Sequence, residues 1–123
     1  MKVWRSLFGA AVLGISSAAL SHAQHGRSPQ MQADDAECRR KYPRPYPANA
    51  IPRARCLNAS EDRLIRPTFG HPKVLNRIQQ DRLALAGRIA RGELTDDEAE
   101  REGERLKHVY LRELQSLEGK RRR

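Results

Sequence analysis

Few residues in this 123-residue chain could do chemistry, and the most informative are two cysteines, Cys38 and Cys56. Seventeen residues separate them. A zinc site would need about four ligands at suitable spacing, and His25, His71 and His108 are too scattered to complete one. A pair of cysteines in an exported chain usually forms a disulfide, because the compartment is oxidising. The sequence therefore predicts a Cys38–Cys56 disulfide, no metal site and no cofactor.

Catalytic residues are not indicated by any local pattern. No Ser or Cys stands beside a His and an acidic residue in a known arrangement for nucleophilic catalysis. The adjacent carboxylates of Asp96 and Asp97 are better explained by the preference of acidic residues for helix starts. There is neither a phosphate-binding glycine loop nor a haem-attachment sequence. We predict a protein that is not an enzyme.

Positive charge is concentrated in two segments. Six basic residues and no acidic one lie between Cys38 and Ser60, with two tyrosines among them, and the chain ends in four basic residues. Arginine suits phosphate and carboxylate groups, and tyrosine can stack or lie at an interface. Two alternatives stay open, an anion-binding patch or a merely solubilising surface. The anion-binding candidates are Arg39, Arg40, Lys41, Tyr42, Arg44, Tyr46, Arg53, Arg55, Arg121, Arg122 and Arg123.

The first 23 residues have the pattern of a secretory signal peptide. Lys2 and Arg5 supply positive charge, residues 7–20 are mostly apolar, and Ser21-His22-Ala23 resembles a cleavage site. The apolar run has about 14 residues, whereas a membrane-spanning helix needs about 20. We expect cleavage after Ala23, no membrane span in the mature chain, and a periplasmic or secreted location.

The mature chain would have 100 residues and a net charge of +7, since 22 Lys and Arg stand against 15 Asp and Glu. Leu, Ile, Val and Phe make up only 17 of these residues, a share that favours disorder when the net charge is high. The core must therefore be thin. The stability that burial does not provide must come from a disulfide, which is worth about 3 kcal/mol for a loop of this size, or from a partner.

The N-terminal half of the mature chain reads as a short helical unit. Residues 24–33 are polar and are expected to form a flexible lead-in. A helix is expected from Asp34 or Asp35 to about Lys41, followed by an extended, polyproline-like stretch with three alternate prolines. A second helix is expected from about Arg53 to Ile65, ended by Pro67, so that residues 34–70 form a helix–loop–helix.

Residues 71–118 predict a long antiparallel helical hairpin. No proline occurs from residue 73 to residue 118, Gly92 can end the first helix, and Thr95 with Glu98 matches a capping box. The second helix should run to about residue 117, leaving a basic tail at 119–123. The turn suggests that Ile89 faces Ala99, Leu85 faces Gly103 and Ile78 faces Tyr110, and that Arg82 lies near Leu106 with its charged head in solvent. The expected interface comprises Leu75, Ile78, Leu85, Ile89, Ala99, Gly103, Leu106, Tyr110, Leu114 and Leu117.

Two segments carry a resemblance to known proteins. The stretch Ala54-Arg55-Cys56-Leu57-Asn58-Ala59, continuing to Arg66-Pro67 and then to residues 81–86 and a Gly-x-Leu-Thr turn, resembles small uncharacterised exported helical proteins of Gram-negative bacteria. That resemblance implies a periplasmic or secreted helical protein without catalytic residues. Residues 92–98 are similar to the turn of short oligomerisation-type helical hairpins.

Together these observations predict an all-α protein, in which a short disulfide-tied helix–loop–helix precedes a long antiparallel hairpin. The first functional hypothesis is association with a protein partner or with itself through the apolar stripe. The alternative is binding of an anionic envelope component, a lipid headgroup or acidic polysaccharide, through the basic loop and tail. Nucleic acid is a less expected ligand outside the cytoplasm.

Overall fold

A computed structural model describes residues 28–123, and the predicted signal peptide at 1–23 lies outside the described residues. The described chain is all-α, as predicted, and contains no strand. In chain order it comprises α1 (Pro29–Lys41), a 3-10 turn (Pro47–Asn49), α2 (Ala50–Leu64), the one-turn α3 (Arg66–Phe69), α4 (Pro72–Ala90) and α5 (Asp96–Arg121).

Helix α1 begins earlier than the sequence predicted. The Ser28 hydroxyl accepts a hydrogen bond from the Met31 backbone N–H at 3.1 Å, and Pro29 occupies the first helical position, where its missing N–H has no cost. The expectation of a flexible lead-in is therefore wrong for residues 29–33, which are helical, while residues 24–27 lie outside the described part.

The prolines have different effects from those predicted. Residues 44 and 45 form a turn and a 3-10 turn follows, so the stretch is not continuously extended. Helix α2 begins at Ala50 and includes Pro52, because a proline is tolerated in the first turn of a helix. Helix α2 ends at Leu64, close to the predicted end and before Pro67. Pro67 itself lies in the first turn of the short α3, which ends before Gly70, a residue with φ of 80°.

The hairpin forms between α4 and α5. Gly92, with φ of 76°, follows α4, and the capping box is confirmed: Thr95 Oγ1 accepts from the Glu98 N–H at 3.1 Å, and Glu98 Oε1 accepts from the Thr95 N–H at 3.0 Å. Helix α5 runs past the predicted end and includes Gly119. Residues 119–121 are therefore helical rather than a tail, and the basic residues there suit the negative end of the helix dipole.

The predicted disulfide is confirmed. Cys38 in α1 and Cys56 in α2 are joined at an S–S distance of 2.05 Å, with a Cα–Cα distance of 5.7 Å, and Cys38 is fully buried. The bond fixes α1 against α2, and the buried Ser60 hydroxyl of α2 lies 4.0 Å from the Cys38 sulfur.

The helices pack in an open row. Helix α1 packs on α2, α2 packs on α4, and α4 packs on α5, but no Cα of α2 comes within 8 Å of one in α5. The core at the centre of the row is small, as the composition predicted: four of its five members are alanines, namely Ala50, Ala54, Ala86 and Ala99, and the fifth is Ile89. Because α2 and α5 both lie on α4 without meeting, a furrow remains open between them.

Candidate functional site

The furrow between α2 and α5 is the candidate site, and we call it the α2–α5 groove. Its volume is about 390 Å³. Its apolar lining comes from α2, α4 and α5, and charged side chains line it as well. The lining residues are Arg39, Arg44, Ala50, Arg53, Ala54, Leu57, Arg82, Leu85, Ala86, Ile89, Ala99, Glu100, Gly103 and Glu104.

Arg53 closes one end of the groove by joining three segments. Its buried guanidinium donates to the Tyr42 carbonyl oxygen at 3.0 Å and to Asp96 Oδ1 at 2.9 Å. Burial lowers the pKa of this guanidinium, an effect that Asp96 opposes and that the positive charge of Arg44 increases. Arg53 was predicted as an anion-binding residue, but in the structure it holds the start of α5 against α2 and against the segment that contains Tyr42.

Arg44 forms a more exposed contact at the same end. Its Nη1 donates to Glu100 Oε2 at 3.1 Å, and its Nε lies 3.7 Å from Asp96 Oδ1. Arg44 and Arg53, two of the six basic residues between Cys38 and Ser60, are thus paired with acidic residues of α5. The positive charge of that segment is therefore balanced only in part.

Arg82 does not lie where the sequence placed it. Its guanidinium binds both carboxylate oxygens of Glu61 in α2, at 2.7 and 2.8 Å, and donates to Asn58 Oδ1 at 2.5 Å. The predicted solvent-facing position near Leu106 is wrong, because α4 packs on α2 as well as on α5 and this side of α4 faces α2. Asn58 is also engaged, donating to the Gln79 carbonyl oxygen at 3.3 Å.

After these pairings, two charges of opposite sign remain in the groove. Arg39 lies on α1 and Glu104 on α5, and neither forms an ion pair or a hydrogen bond with any residue in the range 28–123. Both residues are exposed. The groove therefore has two exposed charges of opposite sign that no residue in the range 28–123 neutralises.

The antiparallel hairpin is confirmed, and the predicted pair Ile89 and Ala99 belongs to the same core cluster. Polar pairs bridge the two helices: His71 with Glu118 at 2.8 Å, Arg77 with Glu113, and the Tyr110 hydroxyl, which donates to Asp81. Tyr110 thus reaches Asp81, three residues beyond the Ile78 that was predicted to face it. Burial raises the pKa of Tyr110, and the hydrogen bond to Asp81 raises it further.

The predicted apolar interface is only partly closed. Ile89 and Ala99 meet in the core and Leu75 is buried, whereas Leu85 and Gly103 line the open groove. The remaining members are half-buried, namely Ile78, Leu106, Tyr110, Leu114 and Leu117. A Cβ added at Gly103 would have no atom within 4 Å, so this glycine faces open space and does not permit a close helix contact within the chain.

The anion-binding candidates are not brought together. Arg40 is paired with Glu37 in its own helix, and Tyr42 is half-buried. Arg121, Arg122 and Arg123 lie at the far end of α5, a 26-residue helix that is about 39 Å long. The exposed remainder, without an ion pair among residues 28–123, comprises Lys41, Tyr46 and Arg55. The loop and the tail are therefore two separate surfaces.

Residues 28–123 contain neither a candidate metal site nor a candidate membrane span. No group of three or more His, Cys, Asp or Glu residues in this range could hold a metal ion. No helix in it has the length and apolar character that crossing a membrane would require.

Comparisons of the chain with protein-family models, with curated proteins and with solved structures found no match.

Two parts of the site were not predicted from the sequence. The first is the contact between α2 and α4, in which Asn58 and Glu61 hold Arg82. The alanines at 50 and 54, one helical turn apart and in step with Leu57, signalled this packing face. The second is Glu104, which no local signal in the sequence separates from the other charged residues of α5.

Proposed function

We propose that this chain is a non-enzymatic, exported helical protein that acts by association with a protein, and that its binding surface is the α2–α5 groove. The observation that carries the proposal is the open row of helices. Helices bury an apolar stripe against a second layer in stable folds, and here α2 and α5 leave their shared furrow without a cover from residues 28–123.

The chemistry of the groove supports a protein ligand. Its lining combines apolar residues, among them Leu57, Leu85 and Ile89, with charged residues. Protein interfaces commonly combine an apolar centre with a polar rim. Beyond the lining of the groove, α5 carries a further exposed apolar residue, because Leu111 lies two turns beyond Glu104 on the same side of the helix and is 46% exposed.

Export to the periplasm or the exterior is part of this proposal. It rests on the signal-peptide pattern of residues 1–23 and agrees with the Cys38–Cys56 disulfide, since such bonds persist in oxidising compartments. Detection of the disulfide-bonded chain in the periplasmic or extracellular fraction, with Met1 to Ala23 removed, tests this part by mass spectrometry.

Photo-crosslinking in the exporting cell tests the binding surface. A photoreactive residue at Leu111 should form a protein adduct, whereas one at Arg112, about 100° further round α5, should not. Gly103→Leu should abolish the Leu111 adduct by filling the groove, and Gly119→Leu should preserve it. The second glycine is a matched control, because it lies on the same helix and also has free space around it.

The alternative function is binding of an anionic envelope component through the exposed basic residues. The observation that favours it is a group of exposed cations without an ion pair among residues 28–123, which includes Lys41, Arg55, Arg122 and Arg123. Such binding weakens steeply with salt. Adducts at Leu111 that persist in high salt support the groove; equal labelling at Leu111 and Arg112 that salt abolishes would favour the anionic component.

A further inference from the structure

The charges of the α2–α5 groove identify the kind of protein that fits it. Four arginines and two glutamates line the groove, and two further carboxylates, Glu61 and Asp96, bind two of those arginines. The charges therefore balance, four against four. A groove with this balance does not select a strongly acidic or a strongly basic partner.

What remains after internal pairing is self-complementary. Arg39 on one wall and Glu104 on the other have no ionic partner within residues 28–123. A two-fold symmetric contact brings residue i against residue j and residue j against residue i. In such a contact, the unpaired positive charge of each copy can pair with the unpaired negative charge of the other copy.

We propose that the occupant of the groove is a second copy of this chain, which forms a two-fold symmetric dimer in which Arg39 of each copy pairs with Glu104 of the other. This inference rests on the proposed function, since it names the partner of the same groove. Helix α5 is the element that each copy inserts, because it lies at the edge of the row and contacts only α4 through its Cα atoms.

Gly103 lies at the centre of this contact. Nothing within the chain occupies the space beside it, and a residue without a side chain lets another helix approach closely. The exposed Leu111 on the same helix then becomes buried against the second copy. Both features are unexplained in a single chain and have a role in the dimer.

Charge reversal with mixing tests the pairing. Arg39→Glu leaves two negative charges in each groove, and Glu104→Arg leaves two positive charges. Each variant alone should dimerise roughly tenfold or more weakly than the parent, since two attractive contacts become repulsive. Sedimentation velocity of the disulfide-bonded chain measures this.

An equimolar mixture of the two charge-reversal variants should form a heterodimer. At one of its two symmetric contacts the introduced carboxylate of the first variant meets the introduced guanidinium of the second. At the other contact the original Arg39 of the second variant meets the original Glu104 of the first. Both contacts are attractive again, so mixing should restore association to near the level of the parent chain.

Matched variants separate the groove from the rest of the surface. Arg55→Glu changes the same charge on an exposed residue outside the groove and should leave the dimer unchanged. Gly103→Leu should give a monomer, and Gly119→Leu should remain dimeric. Circular dichroism of every variant checks that the helices are retained.

Several results would contradict the proposed dimer. A parent chain that stays monomeric up to about 100 μM overturns the inference. The inference is also overturned if Gly103→Leu leaves the dimer unchanged, or if neither charge-reversal variant weakens association. It is overturned as well if mixing the two variants does not restore association. A Leu111 adduct with a different protein, together with a monomeric parent chain, refutes the dimer but leaves the proposed function standing. Absence of both the adduct and the dimer refutes both.

Discussion

The two ends of the helical row are stabilised in different ways. At one end α1 is joined to α2 by the Cys38–Cys56 bond, and Met31, Cys38 and Ser60 are almost completely buried. At the other end, Ala99 is the one residue of α5 that is buried, and polar pairs join α5 to α4 along the hairpin.

The helices at the two ends are therefore expected to be held with different strength. A covalent bond and buried side chains persist at high salt, whereas exposed ion pairs contribute little and are screened. Helix α5 is thus held firmly at its beginning, by Arg53 and the capping box, and more weakly along its length. That is the arrangement expected of an edge that accepts a partner.

The largest expected effect comes from breaking the covalent end. The double substitution Cys38→Ala and Cys56→Ala should lower the free energy of unfolding by about 3 kcal/mol, because the unfolded chain is no longer constrained. Urea denaturation followed by circular dichroism measures it, and reduction of the parent chain should give a similar loss. An unchanged urea midpoint would mean that burial alone holds α1.

Arg53→Met tests the single strong contact at the start of α5. The substitution leaves Asp96 without its donor at 2.9 Å and frees the Tyr42 carbonyl, so unfolding should become easier by about 2 kcal/mol. Amide exchange should rise first near residue 96. Arg55→Met is the control, since Arg55 is an exposed residue of the same helix. Equal effects of the two substitutions would contradict the role of Arg53.

Thr95→Ala removes the N-terminal cap of α5. The first turn loses the hydrogen bond from the Glu98 N–H to the Thr95 hydroxyl, which should cost about 1 kcal/mol in urea denaturation. The backbone and side-chain hydrogen bonds with Thr95 are the main cause of the lowered pKa of Glu98. Thr95→Ala removes the side-chain part of this effect and keeps the larger part from the backbone N–H, so a carboxyl titration by NMR should show that pKa rising only part of the way toward its ordinary value; a full return to that value would argue against the hydrogen bond from the residue-95 N–H to Glu98.

The smallest effect concerns the polar contacts along the hairpin. Tyr110→Phe deprives Asp81 of its hydrogen-bond donor and should cost about 0.5 kcal/mol at neutral pH. Because folding raises the pKa of Tyr110, its stabilising contribution is complete below the ordinary value of 10.0 and decreases as the pH rises above it.

The parent chain and Tyr110→Phe should therefore converge in stability above that pH, as measured by urea titrations at several pH values. Tyr46→Phe is the control, since Tyr46 is 61% exposed. A constant difference between the parent chain and Tyr110→Phe at every pH would contradict this reading of the Asp81 contact.

Local features of the fold were predictable because they depend on neighbours in sequence. The capping box needs only Thr95 and Glu98, and the hairpin needs only a short turn between two periodic segments. The start of α1 and the continuation of α5 were missed because Ser28-Pro29 and Gly119 were judged by residue type alone. A proline is favourable in a first helical turn and a single glycine is tolerated within a long helix.

By itself the sequence determined the helices, their antiparallel turn and the pairing of the two cysteines, since local hydrogen bonding, apolar spacing and the presence of only two thiols decide these. Tertiary structure alone decided which side of α4 faces α2, and hence that Arg82 binds Glu61 and that Arg53 is buried. It also decided that α2 and α5 remain apart. Those outcomes depend on where whole helices pack against each other, and charged side chains at regular helical spacing look the same whether they face solvent or another helix.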